Sequence, residues 1–333
     1  MKYLGLFPLA IALLLTGCQP PTTPPDDRPS VVATSTILAD LTEEIGGEAI
    51  RDSVPIGVSA PIALTSILKP GDDPHVYEPV PQDTITLERA DLILYNGYNL
   101  EPALIRLMAN VSARRLAVGE EIPPLEMEYE GQRVPDPHVW GNARNGIVMV
   151  EVIRDALVEL APENAEQFQA NAAALIAELE TVDRWITAQI ATIPPENRKL
   201  VSTHDAFAYY TDAYGLEMLG SLIGISTEEQ PSAQTVQALS EQIRAAGIPA
   251  IFAETTINDA LIRTVAQEAG VELAPQSLYS DSIGAPGSPG DSYIKMLIAN
   301  TTAIVTALGG NVTPPPAAVT PAPAPAPATP SGG

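Results

Sequence analysis

Three shortages shape this chain: among 333 residues it has one cysteine, three histidines, and 17 basic residues against 41 acidic ones. A lone cysteine excludes an internal disulfide, so stability must come from packing, and it excludes a metal site selected by several thiolates. The formal charge of −24 argues against nucleic acid as a partner, since that binding is driven by basic surface. Long apolar runs are also missing. The longest, residues 4–15, falls short of the roughly 20 residues that cross a bilayer. Hydrophobic content of 45% is nevertheless ample for a core, and the length suits two ordinary domains.

The N-terminus reads as a targeting segment over residues 1–17, with Met1-Lys2 as a minimal basic start and residues 4–15 as its apolar stretch. It ends in Leu15-Thr16-Gly17-Cys18, which resembles the bacterial lipobox, so Cys18 is the expected lipidation site and first mature residue. Residues 18–30 are rich in Pro, Thr and Asp and read as an extended tether. Residues 309–333 are Pro- and Ala-rich low complexity, with too little apolar surface to fold, and are expected to be disordered.

Between these ends, short apolar runs alternate with helical patterns, as expected of an α/β architecture with parallel sheets. Strands are expected at 31–35, 62–68, 92–95, 115–118, 200–203, 216–219 and 251–253, and helices at 37–45, 83–90, 147–160, 232–246, 257–269 and 293–308. Residues 162–193 have no proline or glycine between Glu163 and Ile193 and are expected to form one long helix, roughly 45 Å at 1.5 Å per residue. The fold class is therefore two lobes, 31–161 and 194–308, each a mainly parallel sheet flanked by helices. The long helix bridges them, and a cleft lies between. Ligands of open α/β sheets sit beyond the carboxyl ends of the strands, where His75, His204 and Glu254 are expected.

The pentapeptide Asp-Pro-His-Val-aromatic occurs twice, at residues 73–77 and 136–140. Proline fixes its own φ and pushes the preceding residue away from helix, so each copy reads as a stiff loop ending in an imidazole. Histidine is the commonest protein metal ligand. His75, His138 and His204 show no zinc-finger or helix-borne spacing, so only the fold can assemble them into one site. A lone buried histidine is more often a hydrogen-bonded core residue; three that account for every histidine in the chain, each at a loop, favour a shared site.

Gly71-Asp72-Asp73-Pro74-His75-Val76-Tyr77-Glu78-Pro79 resembles the first ligand motif of the metal-binding solute-binding lipoproteins of ABC importers, the manganese, zinc and iron cluster (solute-binding protein family 9). Residues 90–101, Pro135 to Trp140, Ser202 to Phe207 with Tyr209-Tyr210, and Ser280 to Gly284 with Tyr293 and Asn300 resemble the family's later segments in the same order. The resemblance implies His75, His138, His204 and Asp281 as metal ligands, two from each lobe. Asp72, Asp205 and Glu254 are candidate acceptors for the outward imidazole N–H groups, whereas Asp73 and Asp136 are expected only to shape their turns. Tyr77, Trp140 and Phe207 are expected to wall off water.

The implied function is capture of one divalent ion for an ABC permease, by a monomeric, lipid-anchored protein on the outer face of the membrane, with no reaction catalysed. Mn²⁺ is favoured over Zn²⁺ or Fe²⁺, in part because residues 120–131 lack the histidines often found there in zinc-type members. By affinity alone, three imidazoles and a carboxylate would prefer Zn²⁺ to Mn²⁺. The rival readings are an exported zinc metalloenzyme, with Glu254 as its base, and an adhesin.

Overall fold

The structure, a computed structural model, describes residues 28–50, 61–129 and 131–316. Cys18, the leader, most of the tether and residues 317–333 lie outside the described residues. The first half opens with β1 (Ser30–Ala33), α1 (Thr36–Gly46), β2 (Ala63–Ser66), α2 (Pro81–Glu88), β3 (Leu92–Tyr95), α3 (Pro102–Met108) and β4 (Arg114–Ala117). These strands form one parallel sheet in the order β2-β1-β3-β4. Val31, Val32, Leu92, Ile93 and Leu94 are buried, as continuous apolar strands covered on both faces must be. The antiparallel hairpin β5 (Glu126–Tyr129) and β6 (Gln132–Pro135) leads to the second Asp-Pro-His loop. Two helices follow, α4 (Ala143–Leu160) and α5 (Ala165–Ile190).

The second half carries β7 (Lys199–His204), α6 (Ala208–Tyr214), β8 (Glu217–Ile223), α7 (Ala233–Ala246), β9 (Ala250–Ile251), α8 (Ala260–Ala269), β10 (Glu272–Leu273) and α9 (Tyr293–Ala307). Here β7 pairs with β8, and β9 with β10, both in parallel. The Phe252 N–H donates to Val201 O at 3.0 Å and ties the two pairs together. Helix starts are fixed by polar caps. Ser35, Asn142, Ser232 and Ser292 accept from Leu38, Arg144, Thr235 and Lys295 N–H respectively, each satisfying a donor the helix leaves free.

The α/β alternation and the long helix match the sequence reading, with several differences. Helix α5 is 26 residues, about 39 Å, because residues 162–164 form a separate 3₁₀ turn and the helix stops at Ile190. The helix expected from 257 starts only at Ala260, since Glu254 forms an isolated bridge to Leu278 and Asn258 Oδ1 accepts from Ala260 N–H. Helices α3 and α6 and the β5–β6 hairpin were not expected. Disorder was expected from residue 309, but residues 309–316 are described and held in place. Thr313 N–H donates to Gln189 Oε1 at 2.7 Å, Gln189 Nε2 donates to Thr313 Oγ1, and Trp185 Nε1 donates to Thr313 O, so this stretch lies along α5.

Helix α5 packs against α1, α4 and α9, so the largest apolar cluster draws on both halves of the chain. A separate cluster fills the β7–β8–α7–α8 region. Phe168 on α5 is fully buried in the large cluster. Phe168→Ala is expected to cost about 3–5 kcal/mol, from lost transfer free energy plus the cavity left behind. A urea titration of the metal-free protein would show it, and an unchanged midpoint would refute this placement of the helix.

Candidate metal centre

Each loop that carries a histidine is braced locally before it meets the others. After β2, Asp73 Oδ1 accepts from the His75 backbone N–H at 2.9 Å, forming the tight turn expected of aspartate before proline. After β6, Asp136 Oδ1 accepts both the His138 backbone N–H at 2.9 Å and its ring Nδ1–H at 2.8 Å. The loop is also held from two sides. Asn96 Nδ2 donates to Pro137 O at 2.9 Å, and the Tyr209 hydroxyl donates to Asp136 O at 2.9 Å. Asn96 is itself fixed by Glu101, whose Oε1 accepts from Asn96 N–H and from Thr34 Oγ1. Burial pushes the Glu101 carboxyl up to about 7. At the end of β7, Glu254 grips His204 with both oxygens, accepting the backbone N–H at 2.8 Å and the ring Nδ1–H at 2.5 Å.

These braces fix the tautomers. With Nδ1–H of His138 and His204 given to carboxylates, each Nε2 is turned toward the centre, the arrangement that raises the basicity of a metal-binding imidazole. His75, His138, His204 and Asp281 are all buried, and their donor atoms lie within 4.8 Å of one another. The Nε2 atoms of His75 and His138 are 3.2 Å apart. Asp281 Oδ1 is 3.5 Å from His138 Nε2, and its Oδ2 is 3.3 Å from His204 Nε2. Donors about 2.1 Å from one ion at tetrahedral angles are about 3.4 Å apart, so the spacing fits a single metal ion. His204 Nε2 and both Asp281 oxygens are buried without a hydrogen-bond partner. Three such atoms in one spot are costly unless a cation satisfies them.

Electrostatics divides the imidazoles. Burial, with further push from His138 and His204 against the pull of Asp281, lowers His75 to about 3. His75 is therefore a neutral donor at any physiological pH. Burial also works against charge on His204, but the Glu254 and Asp281 carboxylates outweigh it and raise its pKa well above the ordinary value. Asp281 is held below the ordinary carboxylate range because His204, with His138 and His75, outweighs its burial.

Of the expected outer partners, Glu254 bonds an imidazole, whereas Asp72 and Asp205 do not. Asp72 Oδ2 instead accepts from Lys69 N–H at 2.7 Å in the loop before His75. Asp205 leaves Oδ1 unpaired, and its carboxyl is raised by burial and by the charge of Asp136. Asp136, expected only to shape its turn, does that and also fixes the His138 ring. Nothing local distinguishes it from Asp73, which caps the His75 backbone N–H. Trp140 does pack edge-on against His138, but the Tyr77 hydroxyl reaches away to Asp83 at the start of α2. Asn96, Glu101 and Tyr209 gave no chemical signal in the sequence. Their place in ordered motifs was the only pointer.

The family model described as the periplasmic zinc-uptake complex component A matches residues 31–307. The manganese-binding lipoprotein MntA of Halalkalibacterium halodurans is 34% identical over 304 residues, covering 90% of this chain and 96% of that one. The manganese ABC transporter substrate-binding lipoprotein PsaA of Streptococcus pneumoniae is 32% identical over 321 residues, covering 92% and 99%. Among solved structures, the periplasmic zinc binding protein TroA of Treponema pallidum superposes with a TM-score of 0.76 at 30% identity, covering 84% of this chain and 99% of its own. The Mn-bound periplasmic metal-binding protein of Candidatus Liberibacter asiaticus gives 0.73 at 26% identity, covering 84% and 100%. With the model match running through both halves and the long helix between them, this chain belongs to the family of metal-binding solute-binding proteins of ABC importers.

Proposed function

We propose that the protein is an extracytoplasmic receptor that binds one divalent first-row metal through His75, His138, His204 and Asp281 and passes it to an ABC permease. The observation that carries this reading is the convergence of four buried side chains on one point, where His204 Nε2 and both Asp281 oxygens lack a hydrogen-bond partner. Mn²⁺ is the favoured cargo. The relatives named for manganese support it, and both Asp281 oxygens face the centre, supplying the hard donors that suit that ion. Glu254, the base a metalloenzyme would require, has both oxygens committed to His204, which supports binding without catalysis. Lipidation of Cys18 would keep the receptor at the membrane. In this reading, lobes 31–161 and 194–308, joined by the connector 162–193, each contribute two of the four ligands. Among the described residues no helix is long and apolar enough to cross a membrane.

Metal content of protein purified without added metal, followed by competition titration of Mn²⁺ against Zn²⁺, tests the reading; no tight site for either ion would end it. The titration should depend on pH. The Glu254 and Asp281 carboxylates favour the protonated form of His204 when no metal is bound, so the ion competes with that proton. Affinity is therefore expected to rise with pH, by about tenfold per unit for one displaced proton. Calorimetry in buffers of different ionisation enthalpy should register that proton; binding with no proton release would contradict the role given to His204.

A further inference from the structure

The loop carrying Asp281 comes late in the chain, yet the residues on either side of it are held by early ones. The Trp140 indole Nε1–H donates to Ser280 O at 2.8 Å. On the other side, the Gly71 N–H donates to Ser282 Oγ at 3.0 Å. Trp140 is also held from behind, because the Tyr293 hydroxyl donates to its carbonyl at 2.7 Å. Tyr293 can reach it only because residue 146 is glycine, where an added Cβ would stand 2.6 Å from the hydroxyl. The Trp140 ring meets the His138 ring edge-on, with centroids 5.4 Å apart. One buried side chain thus touches the ring of one metal-facing residue and the backbone next to another. Bonds shielded from water in this way hold their geometry firmly.

We infer that Trp140 is a positioning residue that fixes the Asp281 carboxylate relative to His138 and so sets which divalent ion the site prefers. The inference rests on the four-ligand reading above. Asp281 is the only member of the set with two donor atoms, and its tilt decides whether it gives the ion one bond or two. At present one oxygen faces His138 Nε2 and the other faces His204 Nε2. Keeping both turned inward requires a loop braced on both sides, as this one is. Zinc is satisfied by four donors in a tetrahedron. Manganese is better served by oxygen donors and gains from the second oxygen. A loop freed from the indole N–H lets the carboxylate turn to a single bond, which costs manganese more than zinc.

Trp140→Phe keeps an aromatic ring beside His138 and removes the N–H donor, together with part of the buried indole surface. Competition titrations of the metal-free full chain with Mn²⁺ and Zn²⁺ read the effect. Loss of a partner outside the ligand set costs about ten- to a hundredfold in metal affinity. That loss is expected for Mn²⁺, with a clearly smaller one for Zn²⁺, so the affinity ratio moves toward zinc. Equal losses for both ions, or no loss for either, overturn the inference. Should Trp140→Phe fail to fold, Tyr293→Phe loosens the same strut from its other end; the same shift in ratio is expected, and an unchanged ratio overturns the inference. His138→Ala separates the two levels of argument. If that variant keeps both ions, the ligand reading has failed. If it loses both while Trp140→Phe keeps the native ratio, only the role given to Trp140 has failed.

Discussion

His138→Ala is expected to weaken Mn²⁺ and Zn²⁺ binding by about a hundredfold or more. Binding energies of about 10–16 kcal/mol for four-ligand zinc sites give about 3 kcal/mol per ligand, which corresponds to about a hundredfold. The loss should fall at the upper end here because His138 is firmly fixed. Its ring and backbone share one Asp136 oxygen, its loop is pinned through Pro137 O and Asp136 O, and no water reaches it. A rigid loop cannot bring another donor into the gap. Removing the ring also leaves Asp136 as a buried carboxylate without its imidazole partner, a further penalty on the variant. Isothermal titration of both ions decides the matter, and an affinity within about threefold of the parent would remove His138 from the ligand set.

The second large effect is on heat stability. An ion that binds only the folded chain adds RT ln(1 + [L]/Kd), about 4 kcal/mol at a thousandfold excess over Kd. For a chain of this size that corresponds to a rise of about 8 °C in Tm. The rise should be large because the donors come from both ends of the sequence, 75 and 138 on one side and 204 and 281 on the other, so the ion links segments that must all be in place. It also relieves the unpaired His204 Nε2 and Asp281 oxygens. Scanning calorimetry with Mn²⁺ and then with excess chelator reads the difference. A Tm indifferent to both, in a protein shown to bind the ion, would mean that the ion does not link the segments.

The legibility of the site in the sequence was uneven for physical reasons. The twin Asp-Pro-His loops stood out because proline stiffens the chain and histidine occurs nowhere else but at His204. Asp281 could be picked from 41 acidic residues only through its motif, since a carboxylate carries no local sign of what it will face. Asp136 carries no local sign of its imidazole contact, because the same turn-forming position serves a backbone contact at Asp73 and an imidazole at His138. Helix α3 starts on Pro102 and is only seven residues long, and the hairpin residues 126–135 are mostly polar, so neither gives a strong period. The strut through Trp140 joins residues 140 positions apart. No local pattern encodes such a contact, which exists only once both halves have packed on α5.

The hold on Thr313 has a mechanical consequence. Its N–H, carbonyl and hydroxyl are all bonded by Gln189 and Trp185, side chains in the last turns of the longest helix. Tension on any chain that follows Pro316 would therefore not peel α9 from its C-terminal end. It would enter the molecule sideways at α5, whose neighbours include α1, α4 and α9, and be shared across the whole scaffold before any of it reached the four donors.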